Sequence, residues 1–579
     1  MHGFDVFIPP RPIRPVKAKV LSVFTTLAVL LLVVALPLAG QTTAPAFKDG
    51  DRIAFIGDSI THYGSYHTYV YEYYLTRFPK QRFTMFNCGV SAENASMAID
   101  RFESDIMSRK PTVATIMLGM NDVGRGMYTV NAPSAEVLAR REKALNEYRN
   151  QMAQLEGLLH KRSVRVILLT PSPYDQTMTG GAPNYFGVND ALATCSTYLR
   201  EQASRQNFGF IDFHGPYTAL NLLYQKPNPA LTLVSMDRVH PMELGHIILS
   251  YLFLKAQGMK AQVATVALDA RQKSILTQEN CVIDQADFKT GQISFRYTAQ
   301  ALPMPAGRFF LEADKIVPYV ADLSQELFKV QGLEAGDYVI EMDGIPVGNY
   351  AASALAEGVN LAANPNTPMQ KQAMKVHDLN YKRMLAEKSL RDIVKMELGA
   401  KVAGRDPAKE GELAAYFEDL NGPLKNDYKH VVYRSHMANA QKTLPREAEF
   451  RQAVEQSFAA LYAANRPVSA NPGRVKRLDH SPCPGLAMVG DDRVMRHGGG
   501  KRATWNEGVT RSARPRPNGM VWRWQGWAQR GMEGVWSGAY SEAGVKLFLM
   551  EAPESQISKA SGPPGIAEAA RKIFGKFRA

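Results

Sequence analysis

Between Asp51 and about Gly258 the chain alternates short apolar runs with longer stretches of helical periodicity, and this restricts the fold more than any other feature. The runs are residues 53–56, 83–86, 113–118, 164–169 and 208–211. Each is apolar on both faces, so none suits a sheet with one side in water. Strands of that kind belong to a parallel sheet covered on both sides by helices. The expected domain, 48–258, is therefore an α/β sandwich of three layers. The runs end in polar or glycine-bearing turns: Gly57-Asp58-Ser59, Asn87-Cys88-Gly89, Gly119-Met120-Asn121-Asp122 and Thr170-Pro171-Ser172. Open parallel sheets collect their functional groups at the carboxyl ends of the strands.

Beyond this domain the pattern changes twice. From 259 to 362 the period moves towards two, as in Ile293-Ser294-Phe295-Arg296-Tyr297, and Asp343-Gly344 reads as the turn of a hairpin joining 338–342 to 345–350. This is a small β-rich module. From 363 to 466 the period is helical. Thr367-Pro368 offers a cap and a first-turn proline, Gly399 a stop, and Phe450, Val454, Phe458 and Leu461 a second apolar face. Residues 467–579 hold all five tryptophans among scattered Gly, Arg and Pro, and read as a poorly ordered basic tail. At the other end, Arg11, Arg14, Lys17 and Lys19 precede an uncharged stretch, 20–47, with a core of Leu, Val and Ala. Residues 1–40 therefore read as a signal peptide or a membrane anchor, and either places the rest of the chain in the periplasm or outside the cell.

The formal net charge of +13 is unevenly spread. Residues 1–19 carry +3, residues 471–579 carry +9, and the long body between them only +1. A nucleic-acid groove is not what that body describes. Cys88, Cys195, Cys281 and Cys483 are too dispersed for a zinc site and read as buried thiols.

Five residues carry the candidate chemistry. Ser59 sits on a strand-to-helix turn, where its hydroxyl and its own N–H face the same space. Gly89 and Asn121 follow the next two strands, a bare backbone N–H and a neutral amide, and with the Ser59 N–H would make three donors for an oxyanion. Asp237 and His240, in Asp-x-x-His ahead of a helix from about Met242, have the spacing for a carboxylate to hold an imidazole, and Pro241 is expected in the first helical turn.

Four blocks in order, Gly57-Asp58-Ser59, Gly89, Gly119-x-Asn121-Asp122 and Asp237-x-x-His240, resemble those of the SGNH, or GDSL, hydrolase superfamily of serine esterases. The resemblance implies a flavodoxin-like fold with Ser59 as nucleophile, His240 as base, Asp237 as its orienting acid and Ser59, Gly89 and Asn121 as oxyanion hole. It implies no metal or organic cofactor. The expected activity is removal of short acyl groups, acetyl above all, from a carbohydrate. A lysophospholipase or thioesterase and a non-catalytic glycan-binding envelope protein are the alternatives. Expected partners are a small-molecule or polysaccharide ester, not nucleic acid, with membrane contact only through the N-terminal segment. Tyr63, Tyr66, Tyr69, Tyr73 and Tyr74 read as a packing face or as rings for stacking on sugar.

Overall fold

The computed structural model describes residues 44–129, 132–427 and 430–478. Residues 20–43 of the N-terminal apolar stretch, Cys483 and the tryptophan-containing segment lie outside them. Among the described residues no helix is long and apolar enough to cross a membrane.

The five apolar runs form β1 (Arg52–Gly57), β2 (Thr84–Gly89), β3 (Val113–Met117), β4 (Arg165–Leu169) and β5 (Gly209–Ile211). They make one parallel sheet in the order β2-β1-β3-β4-β5, the doubly wound flavodoxin-like arrangement. The chain moves outward from β1 to β2, then back across β1 to β3. Right-handed crossovers therefore place the helices on opposite faces. Helix Ser65–Arg77 packs on Glu243–Ala256, and Ala135–Lys161 packs on Val188–Gln206. The direction reverses between β1 and β3, so a crevice opens at the carboxyl ends of those two strands.

β2 is an edge strand, and an open edge presents unpaired backbone groups. Here helices from the 363–466 region close it with side chains. The hydroxyl of Tyr462 accepts from Phe83 N–H and donates to Phe83 O, and Arg383 donates to Met85 O. Glu387 accepts from Asn87 N–H, and Arg391 donates to Gly89 O. Arg383, Glu387 and Arg391 follow at helical spacing along Pro368–Val402 and are fully buried, so one face of that helix stands in for a sixth strand. Gly399 does not end this helix, contrary to the sequence expectation. A Cβ there would meet Tyr416 Oη at 2.4 Å and Tyr433 at 2.5 Å, so the glycine serves close packing in the last turn, and the helix runs on to Val402.

The β-rich region forms two sheets. One orders β6 (Gln262–Asp269), β7 (Ser274–Glu279), β10 (Gln325–Gln331) and β13 (Val359–Asn360) as β13-β10-β6-β7. The other holds β8 (Cys281–Lys289), β9 (Gln292–Ala299), β11 (Asp337–Met342), β12 (Ile345–Ala351) and β14 (Ser469–Arg477) as β12-β11-β14-β9-β8. The hairpin turns at Asp343-Gly344, as its sequence predicts. The boundary of the tail at 467 needs correction, because β14 runs between β11 and β9 and is central to its sheet. Its buried residues, Ala470, Gly473 and Val475, form a pattern too short and too interrupted by Pro472-Gly473 to stand out in the sequence.

Candidate active site

β1 passes straight into the short helix Ser59–His62, capped by Asp58, whose Oδ1 accepts from Ile60 N–H at 2.9 Å. A Cβ on Gly57 would lie 2.2 Å from Thr61 Oγ1 and 2.8 Å from Met117 O, so only glycine permits so tight a turn. Ser59 thus stands at the crevice between β1 and β3. Burial pushes the Asp58 carboxyl up to about 6, against the hydrogen bond from Ile60.

The structure brings Asp237 and His240 to this serine. Ser59 Oγ lies 2.7 Å from His240 Nε2, and His240 Nδ1 lies 2.5 Å from Asp237 Oδ2. The other carboxylate oxygen accepts from the N–H groups of Val239 at 2.9 Å and His240 at 3.0 Å, and from the Ser235 hydroxyl. Burial would raise the Asp237 carboxyl, but these bonds and the facing imidazole outweigh it and hold the group well below the usual carboxylate range. A fixed anion at Nδ1 keeps the proton there and leaves the Nε2 lone pair for Ser59.

The loop is held differently from the sequence expectation. Pro241 lies outside the helix, which begins at Glu243, and bridges back to Val234. The main anchor is Arg238, which the sequence reading passed over. It is buried, takes the left-handed φ of 69°, and its guanidinium donates to the carbonyls of Asp175, Met178, Gly180 and Ala182. A cation between Asp237 and His240 resembles surface decoration until the carbonyls it gathers, some sixty residues upstream, are known.

The three expected oxyanion donors are placed unequally. Asn121 Nδ2 donates to Glu93 O at 2.8 Å, and its second hydrogen has no partner among the described residues. Gly89 is not positioned as expected. Its N–H already donates to Asn87 Oδ1 at 2.9 Å, and its bare α-carbon lies under the nucleophile helix, where a Cβ would meet His62 N at 2.3 Å. Close helix packing, rather than approach to a substrate, makes this residue glycine. Three residues on, Ala92 takes φ 54°, and no partner for its N–H is found among the described residues. The segment is pinned on either side of it, by Ser91 N–H on His62 Nδ1 at 3.1 Å and by Asn121 on Glu93 O. An alanine gives no sequence signal of a left-handed backbone, so nothing in the chain itself points to it. The tyrosines also resolve: Tyr66, Tyr69, Tyr73 and Tyr74 are buried core, not stacking platforms.

A serine, a histidine and an aspartate joined by hydrogen bonds at the switch point of a flavodoxin-like sheet are the arrangement of the serine ester hydrolases. Residues 55–248 match the model of the GDSL-like lipase/acylhydrolase family. An acetylxylan esterase of Geobacillus stearothermophilus is 26% identical over 233 residues, 36% of this chain and 95% of the relative. The solved structure of that esterase covers 38% of this chain and 98% of its own, at 25% identity and a TM-score of 0.30. The structure of a gut microbial diltiazem-metabolizing enzyme is 30% identical, covers 76% of this chain and 100% of its own, and gives a TM-score of 0.68. That share of the chain is greater than the esterase domain alone. The chain belongs to the SGNH, or GDSL, hydrolase superfamily.

Proposed function

We propose that the protein is an exported esterase that removes short acyl groups, acetyl above all, from a carbohydrate. The Ser59–His240–Asp237 chain of hydrogen bonds carries this reading. His240 takes the Ser59 proton as Oγ attacks the ester carbonyl, and the tetrahedral oxyanion is met by the N–H groups of Ser59 and Ala92 and the free Asn121 Nδ2 hydrogen. Collapse expels the alcohol, protonated by His240. Water activated by the same imidazole then frees the acid and restores Ser59. The likeness to an acetylxylan esterase supports a carbohydrate acetate as substrate. Export rests on residues 1–40.

A lipid or thioester substrate keeps one observation in its favour. Met236 and Met242, either side of the Asp237–His240 segment, are both exposed and could receive an acyl chain. One screen separates the readings: acetylated xylooligosaccharides, diltiazem and p-nitrophenyl esters of graded length, with wild type and Ser59→Ala. Wild type should prefer acetate, and Ser59→Ala should lose at least 10³-fold. Preference for long chains favours the lipid reading, and residual turnover within tenfold of wild type removes Ser59 as nucleophile.

A further inference from the structure

The helical region reaches the short helix that carries Ser59 through a buried chain of contacts. Asp392, on helix Pro368–Val402, has Oδ1 2.6 Å from His436 Nδ1 and 3.3 Å from His62 Nε2, and its other oxygen accepts from Asn439 Nδ2. His62 is the last residue of the nucleophile helix, and its Nδ1 accepts from Ser91 N–H at 3.1 Å. All three ionisable groups are buried.

His62, Asp392 and His436 have the composition and closeness of a metal site. The Ser91 N–H argues against one. It occupies the Nδ1 lone pair of His62, so the ring proton sits on Nε2, the atom a metal would need. Asp392 Oδ1, 3.3 Å from that atom, is close enough to favour a proton there. Burial lowers the His62 imidazole to about 3, so the ring is neutral throughout the working range and its tautomer is the property left to control.

We propose that Asp392 fixes the tautomer of His62, and that His62 in turn holds Ser91 so that the adjoining Ala92 N–H is presented to the oxyanion. The proposal rests on the serine-esterase reading above. Asp392 is a positioning residue: with His62 it makes a second carboxylate–imidazole pair, at the end of the same short helix whose Ser59 meets the first pair, Asp237–His240. With the proton on Nδ1, His62 would turn a donor towards the Ser91 N–H, and the loop would be pushed off its site. The helical region then does more than close the β2 edge: it sets the oxyanion loop.

The test is a double-mutant cycle on p-nitrophenyl acetate, using the full chain. Asp392→Leu should lower kcat by about 10- to 100-fold, the range of a lost outer partner, with KM within threefold. Asp392→Asn, which keeps an acceptor for Nε2–H, should lose less than about fivefold. His62→Asn keeps an acceptor for Ser91 N–H and has no tautomer to control, so adding Asp392→Leu to it should change kcat less than threefold. If Asp392→Leu alone does not fold, the Asp392→Asn and His62→Asn single variants decide. Fluorophosphonate labelling of Ser59 in each variant separates this proposal from the esterase reading, because failure of the latter leaves even the wild type unlabelled. A loss carried by KM, an additive cycle, a loss of more than tenfold in Asp392→Asn, or a stoichiometric bound metal whose removal lowers the melting temperature of wild type but not of His62→Asn would each overturn it.

Discussion

Gly89→Ala separates two uses of one glycine. If Gly89 presents its N–H to the substrate, an added methyl leaves the fold intact and hinders only binding or turnover. The structure argues for the other use. A Cβ at Gly89 would stand 2.3 Å from His62 N, 2.6 Å from Thr61 C and 2.8 Å from His62 Cα, all backbone of the nucleophile helix. No side chain can swing aside, so the helix must retreat by about 0.7 Å merely to reach the 3.0 Å below which real Cβ contacts essentially do not occur. Overpacking of this kind costs about 1–3 kcal/mol, and for a domain of this size each kcal/mol lowers Tm by about 2–4 °C. Ser59 rides on that helix, 2.7 Å from His240 Nε2, and displacement of a reacting group by 1 Å can cost about 10²-fold. Thermal melting and kcat on p-nitrophenyl acetate should therefore fall together in Gly89→Ala. Wild-type melting with a loss confined to kcat or KM would refute the packing account and return Gly89 to the substrate side.

Ala92→Gly keeps the N–H and relieves the left-handed backbone, so kcat should stay within threefold and stability within about 1 kcal/mol, measured by denaturant unfolding. Ala92→Pro removes the N–H and forbids φ 54°, and should abolish turnover. For Asp237→Asn we expect kcat to fall by about 10²-fold or more in a steady-state assay. Because the folded Asp237 carboxyl is held below its unfolded value, its stabilising contribution is present above about pH 4 and lost only as pH falls through the depressed value, so melting of the variant and of wild type should converge in strong acid. Glu156 runs the other way. Burial pushes its carboxyl up to about 7 despite the bond from Gln202, so its contribution is full below about pH 4.5 and lost as pH rises through 7. Glu156→Gln should accordingly raise Tm at pH 8 and have little effect at pH 4.5, and an equal effect at both would contradict the burial argument.

The alternation of apolar runs with helical stretches was enough to specify a parallel sheet covered on both faces, because a strand apolar on both faces has only one kind of place to go, and the flavodoxin-like order came from the family resemblance. The identity of Ser59, Asn121, Asp237 and His240 as candidates was equally legible, since each follows a strand or precedes a helix within a few residues and local spacing survives in the chain. What the chain conceals is contact across long separations. Arg238 is an unremarkable cation until the carbonyls of residues 175–182 close around it. Gly89 lies beneath a helix and Ala92 takes a positive φ, and neither property is written in a residue name. Arg383, Glu387 and Arg391 read as an ordinary charged helix, yet they are buried as hydrogen-bond partners of β2, some three hundred residues away. β14 likewise enters its sheet between two strands far earlier in the chain. Periodicity records which face of an element must leave water, and so decides the elements and their class. The partner that each polar group meets once water is gone depends on the packing of segments distant in the chain, and only the tertiary structure decides it.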